Sequence, residues 1–132
     1  MTALVHELQR QALSPAHAFD LDSAQAHLDA GDGGYEIVHE SARLEIGIYV
    51  LVAPEPDQQR ANGNDAVYLT LEGRGMLDVD GEQIELREGR AAFVPAGADF
   101  HFSSYEQLSM LVIANRGMTS KRGLGASPKA KA

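Results

Sequence analysis

The chain has 132 residues, no cysteine and a formal net charge of −8. That length suits one domain with one sizeable core. The missing cysteines exclude disulfides, thiolate nucleophiles and thiolate metal sites. Charge is unevenly placed, because Lys121, Arg122, Lys129 and Lys131 lie in a C-terminal stretch without acids. Before residue 121, seven arginines stand against 19 acids, a balance of −12. An acidic body of this kind repels nucleic acid and anionic membrane, so neither is expected as a partner.

Residues 1–13 read as a short helix with Leu4, Val5 and Leu8 on one side, interrupted by Ser14-Pro15. This start lacks the basic residues and apolar run of a secretory signal. No segment approaches the roughly 20 apolar residues of a membrane span. A cytoplasmic location is the default expectation. Asp22, with Gln25 three residues on, reads as the cap of a second helix that Gly31 would stop. From Tyr35 onward the period becomes two.

Leu44, Ile46, Ile48, Val50 and Val52 alternate with Glu45, Gly47, Tyr49 and Leu51, a strand pattern that Pro54 ends. Asp57–Asp65 is a polar loop. Short strands are then expected at Val67–Leu71, Met76–Val79, Gln83–Leu86, Ala91–Val94, Phe100–Ser103 and Leu108–Asn115. Gly73-Arg-Gly75 reads as a turn, and Asp80-Gly81 as a two-residue hairpin loop. The expected fold class is all-β, a sandwich or small barrel with short N-terminal helical segments. The chain divides into a helical extension (1–34), a barrel (35–116) and a basic tail (117–132) whose composition predicts disorder.

The run Val67-Tyr-Leu-Thr-Leu-Glu-Gly73, followed by Gly81-Glu, Gly89, Phe93-Val-Pro95-Ala-Gly97 and Phe102, resembles the cupin superfamily. It is most similar to the small single-domain bacterial cupins with an RmlC-like jelly roll. Gly89, Pro95 and Gly97 match the frame of the second cupin motif, and Gly73 the closing glycine of the first. The resemblance covers roughly residues 35–115. It implies a double-stranded β-helix of six to eight strands, commonly a homodimer, with a ligand pocket at the barrel mouth. The two apolar faces of Leu44–Val52 allow a buried sheet-to-sheet contact in such a dimer.

The resemblance also implies where a metal would be held, and there the sequence departs from it. Counting back from Gly73, the first motif's glutamate position is Ala66, and its two histidine positions fall at Arg60 and Asn62 or at Gln59 and Ala61. The second motif's histidine position is Phe100. A divalent transition metal takes about three protein ligands. Here only Asn62, Asp65 and a displaced His101 are on offer, so no cofactor is expected and a transition metal is disfavoured. Strand alternation points Phe100 and Phe102 inward and His101 outward.

Three functions compete. In the first, a metal-free barrel binds a small molecule or serves as a non-catalytic module, with Gln59, Asn62, Tyr68, Phe100, His101 and Phe102 around the guest. In the second, a metal-independent isomerase or epimerase, or a displaced-metal oxygenase or hydrolase, uses His101 with Tyr68 or Tyr105 as acid and base. In the third, the barrel is only a structural or regulatory dimer. The other histidines (His6, His17, His27, His39) read as unpaired surface groups. Tyr68 and Thr70 share a face with Ala66, so they line or fill the barrel.

Overall fold

A computed structural model of the chain describes residues 16–54 and 63–116. The expected helix over 1–13, the basic tail, and the candidates Gln59 and Asn62 lie outside the described residues.

Among the described residues the first element is helix α1, Leu21–Ala30. Its cap is Asp20, not Asp22: Asp20 Oδ1 accepts from the Asp22 and Ser23 amides at 3.0 and 3.4 Å, and Oδ2 from the Ser23 hydroxyl at 2.8 Å. Those bonds, the Ser23 hydroxyl first, hold the Asp20 carboxyl below its ordinary value. Asp22 instead sits in the first turn, where a negative charge meets the positive end of the helix dipole. The helix stops where expected. Leu28 O accepts from the Gly31 and Gly33 amides, and Asp32, Gly33 and Gly34 all have positive φ. A Cβ on Gly33 would stand 2.6 Å from the Val50 carbonyl, so the exit into the sheet needs a bare backbone there.

Seven strands follow: β1 Gly34–Glu40, β2 Leu44–Val52, β3 Ala66–Val79, β4 Glu82–Arg87, β5 Ala91–Val94, β6 Phe100–Ser103 and β7 Gln107–Asn115. Every pairing is antiparallel. The path runs β1-β2-β7-β3, and β3 carries β5 along its first half and β4 and β6 along its second. This is the double-stranded β-helix of a jelly roll.

The two strands expected at Val67–Leu71 and Met76–Val79 are one 14-residue strand. Gly73-Arg-Gly75 is not a turn but the bend by which β3 leaves one sheet for the other. A register shift between Thr70 and Glu72 sits beside it. Gly73 has φ +90°, and a Cβ there would strike the Gln107 carbonyl of β7. The Asp80-Gly81 hairpin forms as expected, with φ of 50° and 90°, and Asp78 Oδ1 accepts from the Gly81 amide at 2.9 Å.

Both faces of the middle of β2 are covered within the chain. Ile48 and Val50 pack under Ala24 and Leu28 of α1, while Tyr49 and Leu51 join the barrel interior. Tyr49 and Leu51, the apolar residues on the second face of β2, are buried in the chain's own core.

Candidate functional site

The barrel interior is filled from three sides by Ala66 and Tyr68 of β3, Phe100 and Phe102 of β6, and Tyr49 of β2. Ala66 and Phe100 are each 3% exposed. His101, one residue on, is exposed and paired across the sheet with Asp78. The alternation expected of β6 therefore holds: Phe100 and Phe102 point in, His101 points out.

The inward rings form one continuous set. Tyr68 lies 5.4 Å from Phe102 and 5.8 Å from Phe100, and the two phenylalanines are 6.1 Å apart at 87°. Phe102 also meets Tyr49 at 5.9 Å, and Tyr49 meets Tyr35 at 6.2 Å. The tilted and edge-on arrangements put positive ring edges against negative ring faces, the geometry the ring quadrupole favours. Thr70, on the same face as Ala66 and Tyr68, buries a hydroxyl that has no hydrogen-bond partner among the described residues.

The Tyr35–Glu45 pair brings polar groups to the edge of this interior, and the sequence reading does not include it. The Tyr35 hydroxyl donates to Glu45 Oε2 at 2.8 Å. Burial first, and then the bond to Glu45, push the Tyr35 phenol above its ordinary value, so it stays a neutral donor. The pair sits where side chains are small. Glu45 is level with Ala114 on β7, which is level with Ala66 on β3. Gly47 lies directly under the Tyr35 ring, where a Cβ would collide with the phenol. The signal was parity: Glu45 shares its face of β2 with Gly47, Tyr49 and Leu51.

The residues present do not fit a cupin metal. Ala66 and Phe100 carry no donor atoms at two of the four family positions. Among the described residues no three His, Cys, Asp or Glu side chains are arranged so that they could hold a metal ion. Asp65, a fallback ligand in the sequence reading, instead clamps a turn: its Oδ1 accepts from the Ala96 amide at 2.9 Å, fixing the Pro95–Gly97 corner. His101 points away from Tyr68, so of the two acid–base pairs suggested for an enzyme, His101 with Tyr68 is split between the outside and inside of the barrel.

The remaining described histidines lie outside the barrel and are not unpaired. His27 Nδ1 is 2.8 Å from Glu36, and His17 Nε2 is 3.2 Å from His39. A register shift between Ile37 and His39 puts Glu36 and His39 on one face, which strict alternation had separated. A surface concavity of about 360 Å³ lies against α1, lined by Asp22, Gln25, Asp29, Leu71, Glu72 and Glu88. Gln25 donates to Glu72 across it at 2.6 Å. No helix among the described residues is long and apolar enough to cross a membrane.

A double-stranded β-helix closed over an inward-facing site defines a small jelly-roll barrel. Residues 48–114 match the model of the cupin domain family. An uncharacterized protein of Streptomyces coelicolor is 35% identical over 98 residues, which cover 73% of this chain and 92% of the relative. The chain belongs to the cupin family. A crystal structure of a Thermus thermophilus protein superposes with a TM-score of 0.62 at 29% identity, covering 77% of this chain and 99% of that one. An RmlC-like cupin with a double-stranded β-helix fold from Methanocaldococcus jannaschii gives 0.64 at 15% identity, covering 81% and 96%. At that identity the likeness concerns the fold alone.

Proposed function

We propose that this chain is a metal-free cupin that binds a small organic molecule at its barrel mouth without catalysing a reaction. The observation that carries the reading is the identity of two inward positions: Ala66 and Phe100 stand where the family places a carboxylate and an imidazole, and both belong to the apolar core. The family metal is replaced by aromatic packing and small residues. Small-molecule sites are mostly apolar with a few placed polar groups. The Tyr35–Glu45 pair and the Tyr68 phenol supply that polarity from the described residues, and Gln59 and Asn62 belong to the same proposed set.

Native mass spectrometry of the purified chain tests this. The expected spectrum shows a non-covalent organic adduct that is released on denaturation. A spectrum showing one transition-metal ion per chain would overturn the reading.

A further inference from the structure

On its inward face, the sheet of β1, β2, β7, β3 and β5 ends in a row of short side chains with one carboxylate. Glu45 of β2 pairs with Ala114 of β7, Ala114 with Ala66 of β3, and Ala66 with Val94 of β5. Each of the four lies within one residue of the end of its strand, so the row marks one rim of the barrel. The next row inward begins with Ile37 of β1 beside Gly47 of β2. Tyr35, one row further in, leans its ring over Gly47 to reach Glu45.

Glu45 is half-buried, and its hydrogen bond comes from a neutral phenol. The ion pairs among the described residues, His27–Glu36 and Arg116–Glu40, do not include it. A carboxylate offers about four acceptor sites on its two oxygens, so one phenol leaves most of that capacity unused. A half-buried charge without an opposite charge is costly, and a cation or strong donor beside it relieves the cost.

Two further observations give the sign and shape of what would fit. After burial, the bond to Glu45 and its negative charge, and then Tyr68 and Glu40, hold the Tyr35 phenol protonated. An anionic guest would meet the same opposing field, whereas a cation is drawn in. Beside Gly47, Ile37 leaves 45% of its apolar surface exposed. The rim therefore presents a carboxylate, a phenol and bare hydrocarbon together.

We propose that Glu45 sets the ligand class: the guest at the barrel mouth is a small organic amine, its ammonium group held by the Glu45 carboxylate and its apolar body against Ile37. This inference rests on the reading of the barrel mouth as a small-molecule site.

Benzylamine, benzyl alcohol and benzoate share one ring and differ in the charge of the group they carry. Each is titrated into the full chain and into Glu45→Gln by isothermal titration calorimetry. Glutamine keeps the shape and still accepts from Tyr35, so the variant tests charge alone. The parent is expected to bind benzylamine roughly tenfold or more tightly than the other two, the usual scale for a hydrogen bond between charged groups. In Glu45→Gln that preference disappears while benzyl alcohol is unaffected. Added salt gives a second reading that needs no variant, weakening benzylamine binding and sparing benzyl alcohol.

Benzoate or benzyl alcohol binding as tightly as benzylamine, or an amine preference that survives in Glu45→Gln, overturns the inference and leaves small-molecule binding standing. If none of the three binds, the inference falls. The small-molecule reading falls with it when the native mass spectrum also lacks an organic adduct, and stands when the spectrum carries one.

Discussion

Substitutions at two adjacent residues of β6 separate the inward face of the barrel from the outward one. Phe102 touches Tyr49, Tyr68 and Phe100 through ring contacts of 5.9, 5.4 and 6.1 Å. Phe102→Leu keeps most of the buried apolar area but removes all three ring–ring geometries. Each such pair contributes about 0.5–1.5 kcal/mol beyond burial, so part of that sum, about 2 kcal/mol, is the expected loss. In a domain of this size 1 kcal/mol shifts the melting temperature by about 4–8 °C, which puts the variant roughly 8–16 °C below the parent. His101→Ala, one residue away, removes an exposed side chain and is expected within about 0.5 kcal/mol of the parent. Urea unfolding followed by circular dichroism measures both. If His101→Ala destabilised as much as Phe102→Leu, or Phe102→Leu were neutral, the assignment of the two faces of β6 would be wrong.

Two further outcomes follow from the backbone and from the buried phenol. Gly73→Ala and Gly81→Ala both place a Cβ at φ +90°, but only the first drives it into a neighbouring strand, at the Gln107 carbonyl, while the second meets nothing within 4 Å. Gly81→Ala should therefore cost about 1–2 kcal/mol and Gly73→Ala clearly more, measured in the same denaturant series. Tyr35 is held protonated above its ordinary value of 10.0 in the fold. Its contribution to stability is thus intact below about pH 10, where the unfolded chain begins to lose the phenolic proton, and drains away as pH rises toward the folded value. Stability curves above pH 10 should fall less steeply for Tyr35→Phe than for the parent, and parallel curves would count against a buried Tyr35–Glu45 bond.

Much of the barrel is legible in the sequence because strands with one buried face alternate. The inward set Ala66, Tyr68, Thr70, Phe100 and Phe102 follows from period two, and Asp80-Gly81 states its own turn. What alternation cannot supply is its own interruption. Register shifts at Ile37/His39 and Thr70/Glu72 change parity without any residue that announces them. Gly73 and Gly75 read as a turn because glycine ends many strands, yet here it lets one strand bend between sheets. Asp20, Asp22 and Ser23 are all plausible caps within one turn, and only the geometry selects Asp20. The Tyr35–Glu45 pair joins residues ten apart and depends on how β1 pairs with β2, a register composition does not encode. The backbone role of Asp65, 31 residues from the amide it holds, is equally silent in the sequence.

Ala66 and Phe100 stand at two of the positions where the family holds its metal, and neither side chain can donate to one. Elemental analysis of the chain, expressed with iron, manganese, nickel and zinc in the medium and purified without chelator, tests the metal-free reading most directly. The expected result is substoichiometric amounts of every transition metal and no rise in melting temperature when any of the four is added back. A single metal present at one ion per chain, and stabilising the fold on return to the stripped protein, would contradict it.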